Sequence, residues 1–123
     1  GDEPSHPEAL YLLAMTRMQL DDPRGATEPL RRLVDVKAGH RDYAGWKLLA
    51  KAHDDAGRAE DALRELERLV ARSPRLEHHV LLAEQLVRMK REDDATEVLL
   101  RCRSRKGDPE WAERRDALRE QLA

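Results

Sequence analysis

Phenylalanine is absent from this 123-residue chain, and its only aromatic residues are two Trp and two Tyr. A core must therefore be assembled from Leu, Val and Ala, with Trp46 and Trp111 as the large fillers. Gly and Pro number six each, too few for a sandwich or barrel that turns about every ten residues. The single Cys102 cannot close an internal disulfide, so folding does not depend on oxidation, which fits a reducing compartment. No apolar run approaches the ~20 residues of a membrane span, so membrane insertion by these residues is not expected, and no signal peptide is visible. Positive charge is also missing in the net: 23 Lys and Arg stand against 25 Asp and Glu, for −2 overall. Displacing counterions from phosphates needs a cationic excess, so no nucleic-acid partner is expected.

What remains is a highly charged chain, 39% Asp, Glu, Lys and Arg, rich in residues that suit helix surfaces. It also repeats. Leu12-Leu13-Ala14, Leu48-Leu49-Ala50 and Leu81-Leu82-Ala83 are spaced by 36 and then 33 residues. Each is followed at a matching distance by an Ala-x-x-x-Leu pair: Ala26 and Leu30, Ala62 and Leu66, Ala95 and Leu99. Self-similarity at this period is the mark of stacked supersecondary units. Small Ala residues let paired helices approach, and Leu at three- and four-residue spacing supplies the buried stripe.

Boundaries are marked as well. Ser5-x-x-Glu8 reads as a capping box, and Asp22-Pro23 and Asp108-Pro109 read as an N-cap followed by Pro in the first turn. Gly57 suits a helix C-terminus. Helices are expected over 7–20, 23–36, 42–56, 59–72, 76–90, 92–105 and 109–121. Pro29 falls inside the second, where it removes the bond to the Gly25 carbonyl, so a bend is expected there. Residues 1–6 read as a linker or processing remnant. Residues 7–123 read as one domain, with repeats at about 7–40, 41–74 and 75–107 and a capping helix over 109–121. The cap follows from Trp111, Leu118 and Leu122, a narrow apolar stripe on a polar helix, and repeat arrays need such a polar-faced end. Trp111 is expected as its core anchor.

The middle copy carries a family resemblance. Trp46-x-x-Leu49-Ala50-x-x-His53, then Ala62-x-x-x-Leu66, then Pro74, resembles the tetratricopeptide pattern of Trp, Leu-Gly, Tyr, Ala, Phe and Pro. The first copy matches with Leu10, Leu13, Ala14, Arg17, Ala26, Leu30 and Ala38. The third matches with His79, Leu82, Ala83, Leu86, Ala95, Leu99 and Gly107. Ala replaces Gly throughout, and no copy has the Tyr. The resemblance spans about residues 7–107. It implies an all-α, right-handed superhelical array of antiparallel helix hairpins, acting as a protein-interaction module that receives a peptide or partner helix in a concave groove. Carried over position by position, the groove is lined by Tyr11, Met15 and Met18 in the first repeat, Lys47, Lys51 and Asp54 in the second, and Val80, Glu84 and Val87 in the third. The family's carboxylate clamp of Lys, Asn and Arg is not matched, because its places hold Tyr11, Met15, Lys47 or Leu48, Val80 and Glu84.

Catalytic chemistry finds no material. There is no phosphate loop, nucleophile elbow or zincin motif, no set of three or four convergent metal ligands, and no implied cofactor. His53 and His79 are expected to pack, and Cys102 lies on an apolar helix side as a structural thiol. The chain is read as a non-enzyme, monomeric or weakly dimeric. Its alternative readings are a self-associating scaffold or a binder of anionic surfaces or nucleic acid through the basic run between residues 88 and 106. The cytoplasm is the expected compartment, with a membrane tether upstream of Gly1 as the alternative.

Overall fold

The computed structural model describes residues 5–123, and among them are seven α-helices and no strand. These are α1 (Pro7–Gln19), α2 (Pro23–Lys37), α3 (Ala44–Asp55), α4 (Ala59–Arg72), α5 (Leu76–Arg88), α6 (Glu92–Arg101) and α7 (Pro109–Leu122). The chain divides into two compact units. One ends at Glu65 and the other begins at Leu66, so the division falls within α4.

In the N-terminal unit α1 packs on α2 and α2 on α3. The Leu-and-Ala stripes read from the sequence form its core: Leu10, Ala14, Ala26, Leu30, Leu33, Leu49 and Ala50 are buried, with Trp46 beside them. Gly45 lets the Leu33 side chain pack close against α3, since a Cβ there would force the end of that side chain to shift. The Asp22 carboxylate caps α2, accepting from the Gly25 amide at 2.9 Å. Pro29 is buried inside α2, which runs unbroken past it, and Arg17 of α1 donates to the Gly25 carbonyl at 2.8 Å.

Two local expectations are corrected. The Ser5–Glu8 capping box does not form: His6 is the N-cap, its Nδ1 accepting from the Glu8 amide at 3.3 Å, and the Glu8 carboxylate is taken by residues of the α2–α3 loop. Helix α3 starts at Ala44 rather than 42, because Arg41, Asp42 and Tyr43 are all left-handed, with φ of 51°, 58° and 68°. A right-handed helix cannot include them.

In the C-terminal unit α5 packs on α6, and α7 packs on both. Leu69, Leu76, Val80, Ala83, Leu86, Ala95, Leu99 and Cys102 are buried there. Helix α6 stops at Arg101, short of the expected 105. From α7, Arg115 reaches back to the Cys102 and Arg105 carbonyls at 3.3 and 2.9 Å. It thereby serves carbonyls left without a helical partner past the end of α6. In α7 only Leu118 is buried, while Trp111 and Leu122 are half-buried. Trp111 is therefore not the buried anchor expected of it. The Arg114 guanidinium lies 4.1 Å from its ring centroid.

Candidate binding face

The three α1 residues of the expected groove occupy one side of that helix. Tyr11, Met15 and Met18 are all half-buried, and a step of about 100° per residue keeps positions 11, 15 and 18 together. Helix α1 is almost uncharged: between Ala9 and Leu20 its only ionised residue is Arg17, which is bonded to the Gly25 carbonyl.

Tyr11 sits against the α2–α3 loop. Its ring meets His40 edge-on at 6.3 Å between centroids, and the Arg41 guanidinium lies 4.9 Å from its centroid. Both loop residues also hold Glu8. Arg41 Nε and Nη2 donate to its two oxygens at 2.8 and 2.5 Å, and His40 Nε2 approaches Oε1 at 2.8 Å. Hydrogen bonding from Arg41, then from His40, lowers the Glu8 pKa to about 2. This cluster was not visible in the sequence, since Glu8 and Arg41 lie 33 positions apart and share no periodic relationship.

From α3, Lys47 and Asp54 are half-buried and Lys51 is exposed. Lys51 pairs with Asp55 one turn on, at 3.1 Å. Exposed pairs of this kind contribute at most about 1 kcal/mol and exchange readily for another anion. Two buried polar side chains nearby, Glu65 and His53, are structural. Glu65 of α4 is buried and accepts from Trp46 Nε1 at 3.2 Å and from Arg31 Nη2 at 3.0 Å. His53 is buried, with neither ring nitrogen hydrogen-bonded to a described residue, and desolvation lowers its pKa.

The remaining expected residues belong to the C-terminal unit and fare differently. Val80 is fully buried. It is a core residue and cannot meet a ligand, because position 80 faces the same packed interior as Leu76 and Ala83. Glu84 is committed to α7, accepting from Arg114 Nε and Nη2 at 3.2 and 2.5 Å. Val87 is half-buried. Both histidines of the 78–79 pair are buried, their Nδ1 atoms facing the carbonyls of Ser73 and Arg75 at 2.7 and 2.9 Å. Since a carbonyl only accepts, Nδ1 carries the proton in each. Burial raises the Cys102 thiol pKa, in keeping with a structural role. In the basic run, Arg101, Arg103 and Arg105 line an open depression of about 480 Å³ with Leu100 and Ser104. Among the described residues no helix is long and apolar enough to cross a membrane, and no group of three or more His, Cys, Asp or Glu is placed to hold a metal ion.

Solved structures share this fold. PcrH from Pseudomonas aeruginosa matches with a TM-score of 0.77 at 19% identity, over 99% of this chain and 95% of that one. A MamA structure matches with a TM-score of 0.67 at 22% identity, over 97% of this chain and 68% of that one. MamA MSR-1 C2 matches at 0.65 and 17%, over 99% of this chain and 62% of the other. No protein-family model matches the chain, and no curated protein does. The neighbours are tetratricopeptide-like helical repeats, and this chain has that all-α fold.

Proposed function

We propose that this chain is a protein-interaction module that binds a partner segment on the face of its N-terminal unit formed by Tyr11, Met15 and Met18 of α1 with Lys47, Lys51 and Asp54 of α3. The observation that carries the reading is the half-exposed apolar row on α1, in a chain whose surface is otherwise heavily charged. Met is unbranched and adaptable, so two of them beside a Tyr accept varied apolar side chains. Lys47 and Lys51 are four residues apart and can converge on one anionic group. The fitting ligand is a segment with an apolar anchor beside an acidic residue. The tetratricopeptide-like fold supports the reading, since such folds present helix faces to partners. Val80 and Glu84 are not part of the proposed face.

The test is a peptide array probed with the wild type, Met15→Glu and a Lys47→Glu, Lys51→Glu double variant. Bound peptides are expected to be enriched in apolar–acidic pairs and to lose signal with both variants. Equal binding by wild type and double variant, or no acidic enrichment, overturns the assignment of this face.

A further inference from the structure

The end of α6 gathers positive charge of a kind that the chain pairs off elsewhere. Arg41 meets Glu8, Arg91 meets Asp94 and Arg114 meets Glu84. Arg101, Arg103 and Arg105 are instead exposed, line one open depression with Ser104, and form no ion pair among the described residues. Nor are their guanidinium groups spent on the helix end. The Leu100 carbonyl accepts from the Arg103 amide at 3.4 Å and the Cys102 carbonyl from the Arg105 amide at 3.0 Å. Arg115 of α7 supplies the Cys102 and Arg105 carbonyls from the other side. The turn is thus fixed by its own backbone and by α7, and it holds three cations around one space. Their mutual repulsion is relieved by an anion placed between them.

Two details say which anion fits. First, a second hollow of about 190 Å³ adjoins the depression, and Leu100 lines both. Leu99 and Leu122 give this hollow apolar walls, and Arg119 stands at its side. A cationic depression beside an apolar hollow matches a segment that carries acidic residues next to an apolar one. Second, the cationic patch is narrow. Arg101 also lines a groove with Asp94 and Glu97, so a broad anionic surface such as a membrane would meet carboxylates as well. Single-stranded nucleic acid would need aromatic faces for its bases. Trp111 is the one Trp or Tyr beyond residue 66, and it is half-buried with the Arg114 guanidinium over its ring.

We infer that the depression lined by Arg101, Arg103 and Arg105 docks an acidic segment of a partner protein, with a neighbouring apolar residue of that segment entering the hollow beside Leu100. Each guanidinium offers a planar fork that matches a carboxylate, and the Ser104 hydroxyl adds a donor in the same space. Because the turn is already fixed, little ordering is lost on binding. The site lies wholly within the C-terminal unit and does not depend on the face proposed for the N-terminal one.

Fluorescence anisotropy with a labelled Gly-Glu-Glu-Leu-Glu-Glu-Gly peptide tests this, against the same peptide with Gln in place of Glu. The full chain is expected to bind the Glu peptide, more weakly as salt is raised, and not the Gln peptide. Ser104→Glu keeps every Arg and places a carboxylate of its own in the depression, so affinity should fall about tenfold with unchanged helical circular dichroism. An Arg103→Gln, Arg105→Gln variant should weaken binding at least as much. No binding of the Glu peptide, equal binding of the Gln peptide, or full affinity in Ser104→Glu overturns the inference. So does tighter binding of phosphatidylserine vesicles or of a single-stranded oligonucleotide. The Ser104→Glu effect should persist in a Lys47→Glu, Lys51→Glu background, and its disappearance there would also count against this site. Failure of this site and failure of the N-terminal face are therefore read separately.

Discussion

The Arg17 guanidinium donates to the carbonyl of Gly25, and that carbonyl is the one whose helical partner Pro29 removes. In an unbroken helix the amide of residue 29 would bond to residue 25, and proline has no amide hydrogen. A long side chain from the neighbouring helix therefore completes α2 from outside and cross-links the first hairpin. Replacing Arg17 by Met should cost about 1–3 kcal/mol, the range for leaving a shielded polar group unpaired. In a Pro29→Ala background the amide returns, and the same Arg17→Met change should cost much less. A double-mutant cycle in urea measures the coupling. Additive costs would show that Arg17 does not serve that carbonyl.

Trp46 fills the second repeat and also directs its indole N–H at the buried Glu65 carboxylate. Trp46→Ala should destabilise by about 3–5 kcal/mol, as other large-to-small core changes do. Trp46→Phe keeps most of the apolar volume and loses the N–H, so it should cost about 1–3 kcal/mol. Thermal or urea unfolding of both variants checks the order, and a Phe variant as stable as wild type would remove the bond from the account.

Acid should loosen the N-terminal unit in two separate steps. His53 is buried with no hydrogen-bond partner among the described residues, and desolvation holds its pKa below the usual 6.5. Asp61 and Glu65 oppose that shift and Arg31 and Arg58 add to it. The unfolded chain therefore binds the proton first, and stability falls as pH drops below about 6.5. Glu8, with its pKa near 2, acts lower: its clamp is complete above the ordinary carboxylate pKa and is lost as pH falls from there toward 2. Urea midpoints of wild type and His53→Leu, compared at pH 7.5 and 5.5, should show the wild type losing more on acidification. Parallel losses would assign the sensitivity elsewhere.

The parts of this structure legible in the sequence are those that recur. Leu at helical spacing and Ala at the close approaches marked the six helices of the repeats and most buried positions, because burial of a stripe is periodic. Val80 was misplaced by the resemblance: matching repeats transfers a position along a helix, but not what packs over it. Glu84 and Trp111 show this too, being claimed by Arg114. The Glu8–His40–Arg41 cluster and the left-handed turn at Arg41–Tyr43 depend on a loop that occurs once, and nothing repeats to reveal it. Glu65 did leave a trace, as a lone carboxylate on the Ala62, Leu66, Leu69 stripe.

The repeat is written in the backbone more faithfully than in the side chains. The first helix of each hairpin ends in the same left-handed turn, at Asp21, Gly57 and Lys90, with φ of 59°, 79° and 61°. Each time the left-handed residue donates to the carbonyl three back, as Asp21 to Met18, Gly57 to Asp54 and Lys90 to Val87. Each time the next residue donates to the carbonyl five back, as Asp22 to Arg17, Arg58 to His53 and Arg91 to Leu86. These are the paired bonds of a Schellman ending, which favours Gly at the turn. Only the second repeat has it. A side chain at positive φ is strained by roughly 1 kcal/mol, and Gly relieves this at the cost of a more flexible unfolded chain. Lys90 is exposed, so Lys90→Gly removes little packing and should stabilise by about 0.5–1 kcal/mol. Gly57→Ala has open space for its methyl group, yet should destabilise by about 1 kcal/mol through φ alone. Urea unfolding of the two variants gives opposite signs if the shared turn governs both, and a Gly57→Ala chain as stable as wild type would refute it.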